Sequence, residues 1–345
     1  MKYNRLGNTG LFVSELALGT MTFGDTEGFQ TIGGVDQESA NAMVARAFEA
    51  GVNLFDTADR YASGNSERLL GHALRNLGVP RESYLIATKA FGPMGKGPND
   101  AGASRGHVMN AVKNSLTRLG VDHIDLYQIH GFDPATPFEE TLRALDDLVR
   151  QGHVRYVGVS NWAAWQIATA LGITERLGLT RLSSLQAYYS VAGRDLEREV
   201  VPLLEHSGVG LMVWSPLAGG FLSGKQERGT EVPEGSRSAA ARPYIDYPRG
   251  FDTIDVLRPI ADAHGASVAQ TALAWLLHQR VVSCVLVGAK RIAQLEDNLK
   301  AVDITFSNHE LEAINNVSKL PPEYPGWMIG MWSQVRSTAL AASKR

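Results

Sequence analysis

The sequence predicts an α/β protein folded as a (β/α)8 TIM barrel, with an amino-terminal β-hairpin and long loops at the carboxyl-terminal face. Three observations predict it. Short apolar, β-branched runs alternate with longer segments of helical periodicity. There are eight such runs, which favours a closed barrel over an open sheet. Most of them are nearly continuous in apolar residues, as expected of parallel strands buried on both faces.

The predicted elements follow one another along the chain. The eight strands are expected at Glu15–Met21, Val52–Thr57, Tyr84–Lys89, Ile124–His130, Tyr156–Ser160, Ser183–Ala187, Leu211–Ser215 and Ser283–Gly288. Between them, helices are expected at Asp36–Ala50, Ser66–Leu77, Arg105–Leu119 and Glu139–Gln151, and a last one at Arg291–Leu299. At 345 residues the chain has the length of one barrel with insertions, so residues 1–345 are interpreted as a single domain.

Both ends of the chain and two internal stretches depart from this alternation. Residues 1–13 read as a hairpin that closes one end of the barrel, because Tyr3–Leu6 and Phe12–Val13 flank a Gly-Asn-Thr-Gly turn. Phe91–Arg105 and Ala218–Gly250 are rich in glycine and follow strands, so binding loops are expected there. The tail, residues 318–345, carries three prolines and two tryptophans and is expected to be irregular, lining either the pocket or a subunit contact.

Composition excludes several classes of protein. With 33 basic and 36 acidic residues and a net charge of −3, the chain lacks the basic face of a nucleic-acid binder. No secretory signal or membrane-spanning run is visible, so a cytoplasmic protein with no membrane partner is expected. The one cysteine, Cys284, is expected to be buried, and the nine histidines form no metal-binding motif, so no metal site is expected.

Ionisable residues stand at the ends of three successive predicted strands. Asp56, Lys89 and His130 each follow an apolar run, and Tyr61 lies in the loop after Asp56. A single charged residue there is often only the start of a solvated loop. In a barrel, however, all three strand ends meet at one mouth, so we expect these side chains to form one site.

Such a group suits the reduction of a carbonyl. Lys89 would stabilise the phenolate of Tyr61 and thereby lower its pKa, while Asp56 would hold Lys89 charged. His130 would orient the carbonyl oxygen by hydrogen bonding. Tyr61 would then act as a general acid aimed at the developing alkoxide.

Nothing in this group supplies the electrons, so a cofactor is required. Ser160, Asn161 and Gln186 carry the donors and acceptors that a carboxamide needs, and Trp214 offers a flat face, although core packing would equally explain a tryptophan there. The loop 215–225 and the segment 288–291 are candidate phosphate sites because they combine glycines, hydroxyls and cations. No Gly-x-Gly-x-x-Gly follows the first strand, which argues against nucleotide binding in the Rossmann manner.

Five blocks, in order and at barrel spacing, resemble the aldo-keto reductase superfamily, closest to its bacterial and potassium-channel-β-like branches. They are Gly51–Tyr61 with Gly64 and Glu67, Leu126–His130, Gly158–Asn161, Gln186, and Trp214–Leu217. The resemblance implies a barrel that binds NADPH, or less readily NADH, and reduces a small-molecule carbonyl substrate.

The resemblance also implies roles for residues. Tyr61 would be the proton donor, with Asp56, Lys89 and His130 completing a catalytic tetrad. The implied cofactor contacts are Gly19, Thr20, Met21, Asp56, Ser160, Asn161, Gln186, Trp214, Ser215, Leu217, Gly220, Ser223, Lys225, Gly288, Lys290, Gln294, Asp297 and Asn298. Gln294 and Asp297 depart from the arginine and glutamate that are common there, whereas Lys290 and Arg291 favour the 2′-phosphate of NADPH.

Three alternatives remain open at this point. A sugar or alcohol dehydrogenase running oxidatively would use the same residues. An NADP(H)-binding regulatory or auxiliary subunit would keep them but turn over little. An aldolase using Lys89 as a Schiff base would need that lysine neutral, which Asp56 opposes. A homo-oligomer is possible, and the physiological substrate does not follow from the sequence.

Overall fold

Ten strands are present in the described part of the chain. The computed structural model describes residues 1–25, 32–229 and 245–342. The strands are β1 (Tyr3–Arg5), β2 (Phe12–Ser14), β3 (Leu16–Gly19), β4 (Leu54–Asp56), β5 (Leu85–Ala90), β6 (Ile124–Ile129), β7 (Val154–Ser160), β8 (Ser184–Tyr188), β9 (Gly210–Trp214) and β10 (Val282–Val287). Strands β3 to β10 are parallel and form a closed barrel, in which β10 pairs with both β9 and β3. The predicted (β/α)8 barrel is confirmed.

The described part of the chain contains eleven α-helices, of which the last is exposed along almost its whole length. They are α1 (Gln37–Glu49), α2 (Asn65–Asn76), α3 (Arg105–Leu119), α4 (Phe138–Arg150), α5 (Ala164–Leu177), α6 (Val200–Ser207), α7 (Tyr247–Ala263), α8 (Val268–Leu277), α9 (Ile292–Leu299), α10 (Asn308–Ser318) and α11 (Gly326–Ala342). Side-chain caps begin several of them: Asp36 accepts from the Ser39 N–H before α1, and Ser104 accepts from the His107 N–H before α3. In this part of the chain, none of the helices combines the length and hydropathy that crossing a bilayer requires.

The amino-terminal hairpin is confirmed, with β1 and β2 antiparallel. Leu6 and Val13 are fully buried against the barrel interior, in the same apolar cluster as Cys284. Between the two strands, Gly7 adopts a left-handed φ of 58°, and a Cβ on it would lie 2.6 Å from the backbone nitrogen of Gly210. The hairpin therefore packs closely on the amino-terminal end of β9, away from the strand ends that carry the ionisable residues.

Two predicted irregular regions contain helices. α7 begins at Tyr247, inside the predicted loop Ala218–Gly250, and a 3-10 helix occupies Ala218–Ser223. The rest of that loop, residues 230–244, lies outside the described residues. In the tail, the prediction of an irregular segment is wrong from Gly326 onward, where α11 begins directly after the last proline. A helix fits there because proline is tolerated before the first turn but not inside a helix.

Candidate active site

The barrel brings together the four residues expected at its mouth. Lys89 on β5 places its Nζ 2.6 Å from Oδ2 of Asp56 at the end of β4. The same Nζ lies 3.5 Å from the hydroxyl of Tyr61. The rings of Tyr61 and His130 meet edge to face, with centroids 5.7 Å apart. The neighbouring strands β4, β5 and β6 thus assemble the predicted group.

The loop after β4 holds Tyr61 in place through its own geometry. Tyr61 begins a 3-10 turn in which Ala62 and Ser63 have left-handed φ values of 45° and 53°. Lys89 Nζ also donates to the carbonyl of Thr57 at 2.7 Å, which ties the start of this loop to β5. Strained backbone of this kind is uncommon for residues with side chains and concentrates at functional sites.

Asp56 and Lys89 form a buried ion pair. Burial raises the pKa of Asp56, against the opposing effect of the Lys89 ammonium. Burial alone would lower the pKa of Lys89, but the Asp56 carboxylate outweighs it and the net direction is upward. Lys89 is therefore charged at neutral pH, as predicted, and its charge is directed at the phenol of Tyr61.

The predicted direction of the Tyr61 pKa is wrong. Lys89 does lower it, but burial of the phenol has the larger effect, so the pKa of Tyr61 is raised above its ordinary value. For His130, burial lowers the pKa to about 3, with Lys89 acting in the same direction. At neutral pH, Tyr61 is therefore a protonated phenol and His130 a neutral imidazole, and each can donate one hydrogen bond.

Polar residues from β7 and β8 continue this network. Nε2 of Gln186 donates to Oδ1 of Asp56 at 2.8 Å. Asn161, which has a left-handed φ of 60°, donates to the carbonyl of His130 and accepts from Nε1 of Trp214 at 2.9 Å. Ser160 is buried beside it and accepts from the same amide at 3.1 Å. The four predicted carboxamide and ring contacts thus lie together, linked to both Asp56 and His130.

The loop after β9 is folded on itself. The N–H groups of Ala218 and Gly220 donate to the carbonyls of Ser215 and Leu217, and that of Gly219 donates to the Ser215 hydroxyl. These three N–H groups are bonded within the loop, so a phosphate at the predicted site would have to be held by the other groups of residues 215–225. The remaining predicted contacts here are partly buried, like Ser223, or exposed, like Lys225.

The predicted adenosine contacts lie on and before α9, where two of them hold the helices. Oε1 of Gln294 accepts from the backbone N–H groups of Lys290 and Arg291. Asp297 accepts from the side chains of Ser267 and Gln270, which cap α8. Gly288 is exposed beside this helix start and Asn298 is buried in it.

The three contacts predicted on β3 differ in exposure. Thr20 is fully buried, and its hydroxyl donates to the carbonyl of Asp56. Gly19 and Met21 are half-buried on either side of it. Thr20 therefore serves to hold β3 against β4, and its neighbours remain accessible at the mouth.

Three aromatic residues near the predicted binding loops differ in their surroundings. Phe23 is fully buried in the core, and Trp162 packs edge to face on Phe132 and Phe138. Trp327 is half exposed at the start of α11, in a groove that it shares with Arg198. A protein of this size has many aromatic positions between barrel and helices, and sequence does not distinguish them from positions that line a pocket.

One group of buried residues near the site was not predicted to act. Asp59 is fully buried, and its carboxylate makes no hydrogen bond of normal geometry among the described residues. Tyr127 is also fully buried, and its hydroxyl makes none either. Beside them, Glu67 accepts from Nε of Arg118 at 2.5 Å and from the Thr88 hydroxyl at 2.6 Å. The available signal was the run Asp56-Thr-Ala-Asp59-Arg-Tyr61, which sets a second carboxylate close to the proton donor.

The described residues were compared with the ligand clusters that metal sites contain. Across residues 1–25, 32–229 and 245–342, no three histidine, cysteine, aspartate or glutamate side chains come together as a metal site would need. The ionisable groups at the mouth are instead paired with one another.

Comparison with known proteins agrees with the barrel. The model of the aldo/keto reductase family matches residues 15–319. The chain belongs to the aldo/keto reductase family. Its members are oxidoreductases that act on carbonyl groups with a nicotinamide cofactor, so this chain is an oxidoreductase.

Relatives with assigned names are similar over nearly their whole length. A probable voltage-gated potassium channel subunit beta of Arabidopsis thaliana is 38% identical over 335 residues, covering 94% of this chain and 99% of the relative. A putative aryl-alcohol dehydrogenase of Schizosaccharomyces pombe is 33% identical, covering 90% and 93%. An uncharacterized oxidoreductase of Bacillus subtilis is 35% identical, covering 95% and 100%.

Proposed function

We propose that this aldo/keto reductase reduces an aldehyde or ketone with NADPH, and that Tyr61 donates the proton. One observation carries the proposal. The hydroxyl of Tyr61 lies 3.5 Å from a buried lysine ammonium that is itself paired with Asp56, and the ring of Tyr61 touches His130. A phenol in this position can protonate an alkoxide, because the adjacent positive charge stabilises the phenolate that remains.

The residues at the mouth fit a nicotinamide cofactor. Ser160, Asn161 and Gln186 present hydroxyl and amide groups on adjacent strands, which matches the donor and acceptor needs of a carboxamide. Trp214 is partly exposed, and its indole N–H is fixed by Asn161, so its ring face is held in one orientation. When bound, the cofactor supplies the hydride; the protein supplies orientation and electrostatics.

Each member of the tetrad has a distinct task in this proposal. Asp56 keeps Lys89 charged and in place. Lys89 stabilises the negative charge that develops on Tyr61 once its proton leaves. His130, neutral at physiological pH, donates a hydrogen bond to the carbonyl oxygen and so places it within reach of the phenol.

The preference for NADPH over NADH rests on two cations. Lys290 and Arg291 stand exposed at the start of α9, where the positive end of the helix adds to their charge. A 2′-phosphate is the part of NADPH that such a site would recognise. The backbone N–H groups of Lys290 and Arg291 donate to the side chain of Gln294. The charged side chains of these two residues would therefore have to provide the selectivity for NADPH over NADH.

Two other activities are favoured by the names of relatives. The putative aryl-alcohol dehydrogenase favours the reverse reaction, oxidation of an alcohol by the same residues. The probable potassium channel subunit beta favours an auxiliary role in which the cofactor is bound tightly and turnover is slow. Schiff-base chemistry at Lys89 is disfavoured, because the ion pair with Asp56 keeps the amine protonated.

The test is NADPH oxidation by the purified protein with aromatic aldehydes, aliphatic aldehydes and sugars. Tyr61→Phe should lower turnover by at least about a hundredfold and leave NADPH affinity nearly unchanged, because the phenyl ring is retained. Tyr324→Phe is the matched control, since Tyr324 is an exposed tyrosine of the tail. NADH and the corresponding alcohols with NADP⁺ complete the comparison.

The outcomes separate the alternatives. Turnover that vanishes in Tyr61→Phe and persists in Tyr324→Phe supports the proposal. Undiminished turnover in Tyr61→Phe removes Tyr61 from the reaction. Tight NADPH binding without turnover in either direction supports the auxiliary role instead.

A further inference from the structure

A buried group of ionisable side chains lies behind the Tyr61–Lys89 pair and has no task in the proposed reaction. Asp59 belongs to the same loop as Tyr61, and its backbone N–H donates to the carbonyl of Lys89 at 3.0 Å. Its carboxylate is fully buried and makes no hydrogen bond of normal geometry with any described residue, and the nearby backbone N–H of Arg60 offsets only part of the cost of burial. A bare buried carboxylate is costly, so an explanation for Asp59 is needed.

The charged groups that face Asp59 come from three elements. Glu67 of α2 repels the carboxylate, whereas Arg118 of α3 and Lys89 of β5 attract it. Neither cation forms an ion pair with Asp59, because Arg118 is paired with Glu67 and Lys89 with Asp56. Asp59 therefore faces a second carboxylate, that of Glu67, and has no ion pair of its own among the described residues.

The remaining neighbour is a tyrosine. Tyr127 of β6 is fully buried, its hydroxyl lacks a partner among the described residues, and Asp59 and Glu67 both raise its pKa, after burial itself. It stays a neutral phenol at any pH of interest. Burial, followed by the repulsion from Glu67, raises the pKa of Asp59 to about 7. This geometry favours a proton on the carboxyl group of Asp59.

We propose that Asp59, buried without an ion pair beside Glu67, is a positioning residue that holds a proton in the working enzyme and, when it loses that proton, weakens the proton donor Tyr61. The predicted effect on rate rests on the proposed carbonyl reduction. The protonation of Asp59 does not depend on that proposal. The proton of Asp59 goes to solvent and never to the substrate, whose proton comes from Tyr61. Asp59 therefore changes the electrostatic environment of the proton transfer from Tyr61, and it neither gives atoms to the substrate nor takes atoms from it.

The direction of the effect follows from the charges. Asp59 in its anionic form raises the pKa of Tyr61, because a second negative charge nearby opposes formation of the phenolate. A weaker acid transfers its proton less readily in the transition state. Carbonyl reduction should therefore be faster with Asp59 neutral than with Asp59 ionised, although Tyr61 stays protonated throughout.

The experiment is the pH profile of kcat/KM for carbonyl reduction by the full-length enzyme. Wild type should fall roughly fivefold across a step centred at about pH 7. Asp59→Asn mimics the protonated carboxyl and should stay on the fast plateau, without the step. The control Asp122→Asn, at an exposed aspartate two residues before β6, should behave as wild type.

A second variant guards against misfolding of the first. Glu67→Gln removes the carboxylate that raises the pKa of Asp59, so the midpoint of the step should move to lower pH. A purely structural role for Asp59 would change the rate at every pH and leave the midpoint where it is. An unchanged step in Asp59→Asn, or an unmoved midpoint in Glu67→Gln, overturns the inference.

The failure of the proposed function is distinguishable from the failure of this inference. If no carbonyl is reduced by any variant, the proposed function fails. The proton on Asp59 is then still measured by urea unfolding of wild type and Asp59→Asn at several pH values. Equal pH dependence in the two proteins would overturn the inference independently of activity.

Discussion

Replacement of Asp59 by asparagine should make the protein more resistant to unfolding at alkaline pH. Folding raises the pKa of this carboxyl from 3.8 to about 7. The stability that its proton contributes is fully present below pH 3.8 and is lost as the pH rises through about 7. The whole shift corresponds to about 4 kcal/mol, of which about 2 kcal/mol is lost between about pH 5.5 and about pH 8.5.

His130 acts in the opposite direction and has to be separated from Asp59. Folding lowers the pKa of His130 from 6.5 to about 3, so the stability it contributes is fully present above pH 6.5 and is lost as the pH falls from there through about 3. The pH dependence of wild type alone therefore mixes two opposing contributions. Subtracting the curve of Asp59→Asn from that of wild type cancels His130, because both proteins carry it.

The assay is urea unfolding followed by tryptophan fluorescence at about pH 5.5 and about pH 8.5. Relative to wild type, Asp59→Asn should gain about 2 kcal/mol on going from the lower to the higher pH. Asp122→Asn, exposed and distant, should gain nothing. A wild type–Asp59→Asn difference that is the same at both pH values would refute the reasoning, because the carboxyl would then not titrate in this range.

Two further predictions concern packing behind the site. Arg118→Leu leaves Glu67 buried and without its ion pair, so the free energy of unfolding should fall by about 3–5 kcal/mol; the control Arg105→Leu breaks an exposed pair and should cost less than about 1 kcal/mol. Gly71→Ala should cost about 1–3 kcal/mol, because its Cβ would clash with the Leu119 carbonyl where α2 crosses α3. Urea unfolding measures both, and stability equal to wild type in either variant would contradict the packing described.

The sequence was sufficient to predict the barrel and the group of ionisable side chains at its mouth. Short, nearly continuous apolar runs predict the buried strands, longer segments of period 3.6 predict the helices, and parallel strands in a barrel all end at one face. Asp56, Lys89 and His130 were therefore predicted to meet because each ends a strand. These three residues meet because of the barrel topology. That topology follows from the order of strands and helices along the whole chain and does not require knowledge of how individual side chains pack.

Quantities that depend on burial could not be predicted from the sequence. The pKa of Tyr61 was predicted to fall because Lys89 is near, but desolvation of the phenol has the larger effect, and it depends on how the phenol packs in the folded protein. Likewise, the group around Asp59 forms only because α2 and α3 pack side by side and bring Glu67 to Arg118. The residues of this group are far apart in sequence, and no local sequence pattern predicts that they come together.

The pairing of β10 with β3 has a consequence for how the chain acquires its structure during synthesis. β3 is among the first strands to leave the ribosome and β10 is the last of the eight. Until β10 arrives, β3 and β9 are open edges whose backbone groups can pair with another nascent chain. We therefore expect the partly synthesised barrel to be the aggregation-prone stage, and the one at which a chaperone that shields strand edges would act.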